Sequence, residues 1–444
     1  MSILFVDPPS PPGFVAFRDS HGGYGECCRT SRLRFPTLDL FHSASLLLDH
    51  GIPAAVVDSV LCGHSPRDCV AAVLEKKPSL VALRTCSGSC PHDLAVAQEL
   101  KSRFSGPVVF YGPQVSAEPL RILSHPAVDA VVLGEAPHAF LAIARAGGFS
   151  GVPGVWHKRS GRVLKSPAAP RLRDLDSLPI PRWDLVDYRR YSYVTAQTSW
   201  GCPFGCGYCP YPVTQGARWR GRGIPGVVRE FLALRERYGL RFVLLRDPVF
   251  SLRRQRTAAL CRALVAAGTP LLWGCETRLD TLDDELMDLM AAAGCIRVAF
   301  GVESVHPAAL ELMGRRAGGP GSIRAAVAGL KRRGMLTYAM YLVGLPEETE
   351  ATTRRLVDFA LELDTNAASF SMATPFPGTA LERLARGRGH IAAPDPLHLT
   401  GCVPSMRNAR LSAARVESLY LTAKAAWNQR RREPAASSAL SSPV

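Results

Sequence analysis

Two successive α/β parts are predicted for this chain: a doubly wound parallel sheet, then a (β/α)6 partial TIM barrel. Three observations predict them. Short apolar runs recur along residues 1–150 and alternate with segments of helical spacing. A second strand–helix series begins near Tyr193 and holds six units, too few for a closed barrel of eight. The runs of both series end in Gly, Pro or polar residues, which punctuate chains at turns.

The elements follow in order. Ile3-Leu4-Phe5-Val6, closed by Asp7-Pro8-Pro9, reads as a fully buried strand. A Gly-rich loop runs through Asp19-Ser20-His21-Gly22-Gly23-Tyr24-Gly25. Leu38 to His50 has helical spacing and stops at Gly51. Ala54–Asp58, Leu80–Arg84, Val108–Gly112 and Ala130–Glu135 are the further strands, with helices from Asp93 and from Pro137. Such a sheet keeps its ligand crevice at the carboxyl ends of the strands. Residues 151–192 are expected to be a linker with a hairpin, Val155-Trp156-His157 and Arg162-Val163-Leu164 flanking Ser160-Gly161. Its Pro-rich part, Asp174 to Asp187, is expected to lie extended across the surface.

The barrel is assigned to residues 193–385. Its strands are Val194–Ser199, Phe242–Leu245, Leu271–Glu276, Arg297–Gly301, Leu336–Val343 and Ala368–Ala373. Residues 386–432 are a C-terminal segment, irregular to Leu411 and then helical from Ala413 to Arg430, with Ser412 as N-cap and an apolar stripe at Val416, Leu419 and Tyr420. Residues 433–444 are Pro/Ala/Ser-rich and expected to be disordered.

Composition narrows the class. The chain has 444 residues, 47% of them hydrophobic, enough for two or three domains with cores. The net charge is +15, but the arginines are scattered rather than striped, so a basic soluble enzyme is favoured over a nucleic-acid binder. Thirteen cysteines without a paired framework point to a reducing cytoplasm. The N-terminus has no basic region before its short apolar run, and no window reaches a membrane span.

Most specific is Cys202-Pro203-Phe204-Gly205-Cys206-Gly207-Tyr208-Cys209, a C-x-x-x-C-x-x-C loop directly after a strand. Thiolates select zinc, copper(I) or an iron–sulfur cluster. Structural zinc wants four ligands, often as two knuckles, and no second knuckle follows. Three thiolates on one tight loop suggest a [4Fe–4S] cluster with one iron open, against the bland reading of small buried hydrophobes. The strand ends of the barrel carry polar groups: Arg246-Asp247, Glu276-Thr277-Arg278, Gly301-Val302-Glu303-Ser304, Tyr341 to Glu347, and Thr374. Polar groups at all these ends argue for one convergent site.

The cysteine spacing, with Tyr208 before the last cysteine, resembles the radical S-adenosylmethionine (SAM) superfamily. The continuation Pro210 to Gly216 is similar to the branch with a cobalamin-binding-type domain in front of the barrel, and that resemblance covers Met1 to about Leu384. Pro8-Pro9, Thr85, Gly112-Pro113-Gln114 and Gly134-Glu135 match the markers of that domain, where small residues would let a planar ligand approach. Asp19-Ser20-His21 begins like the cobalt-ligating D-x-H-x-x-G motif, but Gly25 comes one place late and a loop histidine is the favoured account. The domain therefore either binds cobalamin without a histidine ligand or stands empty.

The resemblance implies Cys202, Cys206 and Cys209 as cluster ligands, with Asp247, Glu276, Arg278, Glu303 and Ser304 lining SAM. It further implies that SAM, bound at the open iron, is split reductively to a 5′-deoxyadenosyl radical that takes hydrogen from a small-molecule substrate. The leading expectation is dehydration of a diol in an amino sugar, as in the radical diol-dehydratase of apramycin biosynthesis. Tyr211, Tyr341 and Glu347 are the candidate acid–base groups. The alternative is a cobalamin-dependent C-methyltransferase, and a third class is a non-catalytic iron–sulfur electron carrier. Expected partners are a flavodoxin or ferredoxin donor and a reductase acting on the product, with no nucleic acid and no membrane.

Overall fold

The computed structural model describes residues 1–29, 31, 33–316, 318–392 and 399–432. They form two compact units, the first built on Met1–Val194 with Thr400, the second on the chain from Thr195 onward. The tail from Glu433, expected to be disordered, lies outside the described residues.

The first unit is organised on a seven-stranded sheet. Its first strand, Ile3–Asp7, lies second from one edge, and pairs in parallel with the second, Ala54–Asp58, on one side and the third, Leu80–Arg84, on the other. The fourth, Val108–Tyr111, and fifth, Ala130–Val132, continue the parallel order. First and third strands are buried at every residue, as strands covered on both faces must be. The hairpin Val155–Arg159 and Arg162–Lys165 does more than link: it pairs antiparallel with the fifth strand and widens the sheet. The stretch expected to be extended on the surface instead contains 3-10 turns at Leu175–Ser177, Trp183–Leu185 and Tyr188–Arg190, and Trp183 is fully buried against Phe41. A Pro-rich pattern reports backbone stiffness and not where the large side chains go.

The loop after the first strand folds back as a small ribbon, Val15–Phe17 with Glu26–Cys28. It carries Arg18 onto the strand ends, where its guanidinium bonds Asp7, the Pro8 carbonyl (2.9 Å) and Asp93 (2.7 Å). Asp93 also accepts from Thr85 (2.7 Å) and Ser89 (2.6 Å), and Asp7 from Thr37 (2.7 Å).

The second unit carries a six-stranded sheet in sequential order: Val194–Ala196, Phe242–Leu245, Leu272–Thr277, Cys295–Glu303, Leu336–Val343 and Ala367–Met372. Neighbours from the second strand to the sixth pair in parallel. The first strand is shorter than its apolar run predicts, because Ser199–Trp200 leaves the sheet to pair with Arg220–Gly221. Helices fill the connections, for example Glu350–Leu363, started by a Thr349/Thr352 capping box. On the fifth strand Thr337, Ala339, Tyr341 and Val343 are buried while Tyr338, Met340 and Leu342 are half-buried, the period of a strand with unlike faces.

The C-terminal segment closes the unit. Asn408 donates to the carbonyls of Leu345 (2.9 Å) and Glu348 (3.1 Å), and Ile391 bridges to Met406. The final helix, Ala413–Arg432, buries Val416, Leu419, Tyr420, Ala423 and Trp427, which extends the stripe read from sequence. Among the described residues, no helix is long and apolar enough to cross a membrane.

Candidate active site

The cysteine loop follows the first barrel strand and is tied down from several sides. Cys202 N–H donates to the Gly216 carbonyl at 3.0 Å, and Gly207 N–H to the Met313 carbonyl at 2.7 Å. The Gly207 carbonyl accepts from Leu381 N–H at 2.8 Å. Gly201 stands at φ +83°, and a Cβ there would run into the Arg218 carbonyl oxygen. Tyr208 packs against the cluster of Ala309, Met313, Leu345 and Leu381.

Cys202 and Cys206 are buried and Cys209 is half-buried. Burial pushes the Cys202 and Cys209 thiols up, while the Phe204 amide at Cys202 and the Tyr211 amide at Cys209 pull the other way. Cys206 receives guanidinium donors instead, Arg278 Nη1 at 3.8 Å and Arg315 Nη1 at 4.0 Å. Among the described residues the three sulfurs are not gathered within 4.8 Å of one another, as ligands of one ion would be. Three soft donors, amides aimed at sulfur and two buried cations suit an anionic iron–sulfur cluster.

Beside the loop lies one charged group of side chains. Glu303 takes a left-handed φ of +67°, and its carboxylate folds over Gly301, where any Cβ would collide with it. This supplies the physical reason for the Gly-x-Glu pattern. Burial pushes the Glu303 carboxyl up; Arg315, then the Tyr208 hydroxyl and Arg278, pull it down. Arg315 Nη2 holds the Gly301 carbonyl, and its buried Nε has no hydrogen-bond partner among the described residues. Arg315 went unnoticed in the sequence because it sits on a loop between helices, in a chain rich in arginine.

The other expected SAM-lining residues are each engaged by other protein groups. Asp247 is fully buried and accepts from Thr198 N–H (2.7 Å), Thr198 Oγ1 (2.6 Å) and Ser199 Oγ (2.6 Å). Its oxygens thus anchor the segment entering the cysteine loop. Glu276 pairs with Arg246 at 2.6 Å. The Arg278 fork is held by Asp280, at 2.9 and 2.5 Å, with its plane over Phe204. Ser304 donates to Glu348 at 2.6 Å.

Of the three expected acid–base groups, only Tyr211 lies at the loop, opening the short helix Tyr211–Thr214. Tyr341 is fully buried, is register-paired with Glu303 across a bulge in the sheet, and stacks on Phe370 at 5.0 Å. The Glu347 side chain is 41% exposed and pairs with Arg388 at 3.1 Å. The buried member of that pair of glutamates is Glu348.

Comparison with known proteins follows this geometry. Residues 197–360 match the Radical SAM superfamily. An uncharacterized methyltransferase of Pyrococcus horikoshii is 28% identical over 394 residues, 86% of this chain and 82% of that protein. The anaerobic magnesium-protoporphyrin IX monomethyl ester cyclase of Rubrivivax gelatinosus is 29% identical over 288 residues, 60% of this chain and 50% of the cyclase. The radical SAM methyltransferase TsrM from Kitasatospora setae, solved with cobalamin and a [4Fe–4S] cluster, superposes with a TM-score of 0.71 at 21% identity, covering 95% of this chain and 85% of that one. The fold is therefore the α/β fold with a curled parallel sheet found in cobalamin-binding radical SAM structures. The matched segment, residues 197–360, lies in the second unit and contains the cysteine loop.

Proposed function

We propose that this protein is a radical SAM enzyme that takes a hydrogen atom from a small-molecule substrate and transfers a methyl group to it. The cysteine loop carries the radical part: three thiolates on one loop, backed by Arg278 and Arg315, inside the matched segment. Methyl transfer is supported by the names of the relatives, the Pyrococcus protein and TsrM among them. Neither the Pyrococcus protein nor TsrM is named for dehydration of an amino sugar. One observation keeps it as a second reading: the ends of the N-terminal strands are filled by protein, and loss of water needs no methyl carrier.

The cluster, when bound, supplies the electron that breaks the C5′–S bond of SAM. The chain's own part is binding and exclusion of water. Glu303 offers an acceptor and Arg315 a donor beside the loop, suited to the ammonium and carboxylate of an amino-acid moiety. Asp247, through Thr198 and Ser199, and Gly207, through Met313 and Leu381, hold the loop in place.

The test is anaerobic incubation of the reconstituted protein with SAM and dithionite. The wild type is expected to form 5′-deoxyadenosine, and Cys202→Ala, Cys206→Ala and Cys209→Ala each to lose it together with bound iron. Wild-type protein that cannot cleave SAM would leave the electron-carrier reading standing. With indole and amino-sugar panels as substrate, S-adenosylhomocysteine forming in step with a product heavier by one methylene supports methyl transfer. A product lighter by one water, with no S-adenosylhomocysteine, overturns it.

A further inference from the structure

We infer that the strand-end crevice of the N-terminal sheet is sealed by the chain's own residues and takes no corrinoid. A sheet ordered second–first–third–fourth–fifth places its ligand outside the carboxyl ends of the first and third strands, where the crossovers leave in opposite directions. Arg18 occupies that point. Its guanidinium spans Asp7, at the end of the first strand, and Asp93, on the helix after the third, and Arg18 and Asp93 side chains are both 0% exposed. Burial works against the Arg18 charge, but Asp93 and Asp7 outweigh it and leave it more firmly protonated than an ordinary arginine.

The glycines that a bound ligand should need are taken by protein atoms. A Cβ on Gly23 would lie 2.8 Å from Arg84 Nη2 and 2.9 Å from Pro113. On Gly25 it would run into the Cys86 sulfur, and on Gly112, at φ +121°, into Arg84 and the Thr85 carbonyl. Arg84 itself is fully buried, with Nε on Asp39 at 2.8 Å. At the fourth strand Tyr111 is 0% exposed, and Gln114 accepts from Ser87 at 2.7 Å. Small residues here make room for the first loop, so the markers of a cobalamin-type domain persist while their space is spent internally.

Admitting a large planar ligand means withdrawing Arg18 from two buried carboxylates. Stripping one partner from a buried ion pair is strongly destabilising, and here the hydroxyls of Thr85 and Ser89 would lose their acceptor as well. This goes beyond the proposed function, which includes methyl transfer and leaves the carrier of the methyl group unassigned.

The experiment uses the full chain, reconstituted with iron and sulfide, exposed to excess hydroxocobalamin and desalted anaerobically. Expected are a full cluster spectrum, no retained corrinoid absorbance, and an unchanged melting temperature with hydroxocobalamin present. A stoichiometric corrinoid, or a melting temperature that rises with hydroxocobalamin concentration, overturns the inference, since a ligand that binds the native state stabilises it. The two claims fail separately. Corrinoid bound to protein that still cleaves SAM sinks this inference alone. A corrinoid-free protein unable to cleave SAM sinks the radical SAM reading alone.

Discussion

Glu347 and Glu348 are adjacent in the chain and opposite in circumstance. Glu348 is 1% exposed and accepts from Ser304 Oγ (2.6 Å), Gly344 N–H (2.9 Å) and Leu345 N–H (3.1 Å). It couples the fourth strand end to the turn after the fifth. Burial pushes its carboxyl up to about 7, against the pull of Ser304 and the two amides. A carboxyl whose folded value lies above its unfolded value stabilises most when protonated. That contribution is complete below the unfolded value and is lost as pH rises through about 7. The loss attributable to Glu348 is at most about 3 kcal/mol between pH 4.5 and 8. Urea midpoints measured across this range should therefore fall more steeply in the wild type than in Glu348→Gln. Glu347→Gln should follow the wild type, because that side chain is 41% exposed and pairs with the equally exposed Arg388. Equal slopes in wild type and Glu348→Gln would show that the buried carboxyl does not titrate there.

At the scale of elements, the cysteine loop depends on where its glycines sit. Gly205 has φ +64° with nothing near its missing Cβ, whereas Gly201 has φ +83° with the Arg218 carbonyl in the way. Gly205→Ala should cost only the left-handed backbone term, about 1–2 kcal/mol. Gly201→Ala adds a backbone collision and should give protein that takes up clearly less iron and sulfide on reconstitution, with the two variants compared side by side. Equal loading would show that the bend at Arg218 moves aside freely. Gly205 and Gly207 attract attention in the sequence because they lie inside the cysteine motif. Gly201 precedes it, and its constraint comes from a bend seventeen residues on. The six barrel strands were legible as apolar runs, yet the first ends early because Thr198 and Ser199 turn to Asp247.

Over the whole molecule, charge is the property that composition reports directly. Fifty-three Lys and Arg against thirty-eight Asp and Glu leave a net +15, and an acidic electron donor would be drawn to such a surface. Reduction by an acidic flavodoxin-type donor is therefore expected to slow as salt rises from about 0.05 to 0.5 M, where screening shortens the range of attraction. A rate indifferent to salt in stopped-flow measurements would remove electrostatic steering from the account.

Taken alone, the sequence determined whatever is local in the chain. The three cysteines lie within eight residues, so their joint chemistry is readable without a fold. Strand and helix periods are equally local, which is why both sheets could be placed. Only the tertiary structure decided which polar groups are still available to a ligand. Thr198 meets Asp247 forty-nine positions away, Ser304 meets Glu348 across forty-four, and Arg18 meets Asp93 across seventy-five. A carboxylate at a strand end reads the same in sequence whether it faces a ligand or a neighbouring strand. Burial and pairing separate the two, and both are set by residues that come together only when the chain is folded.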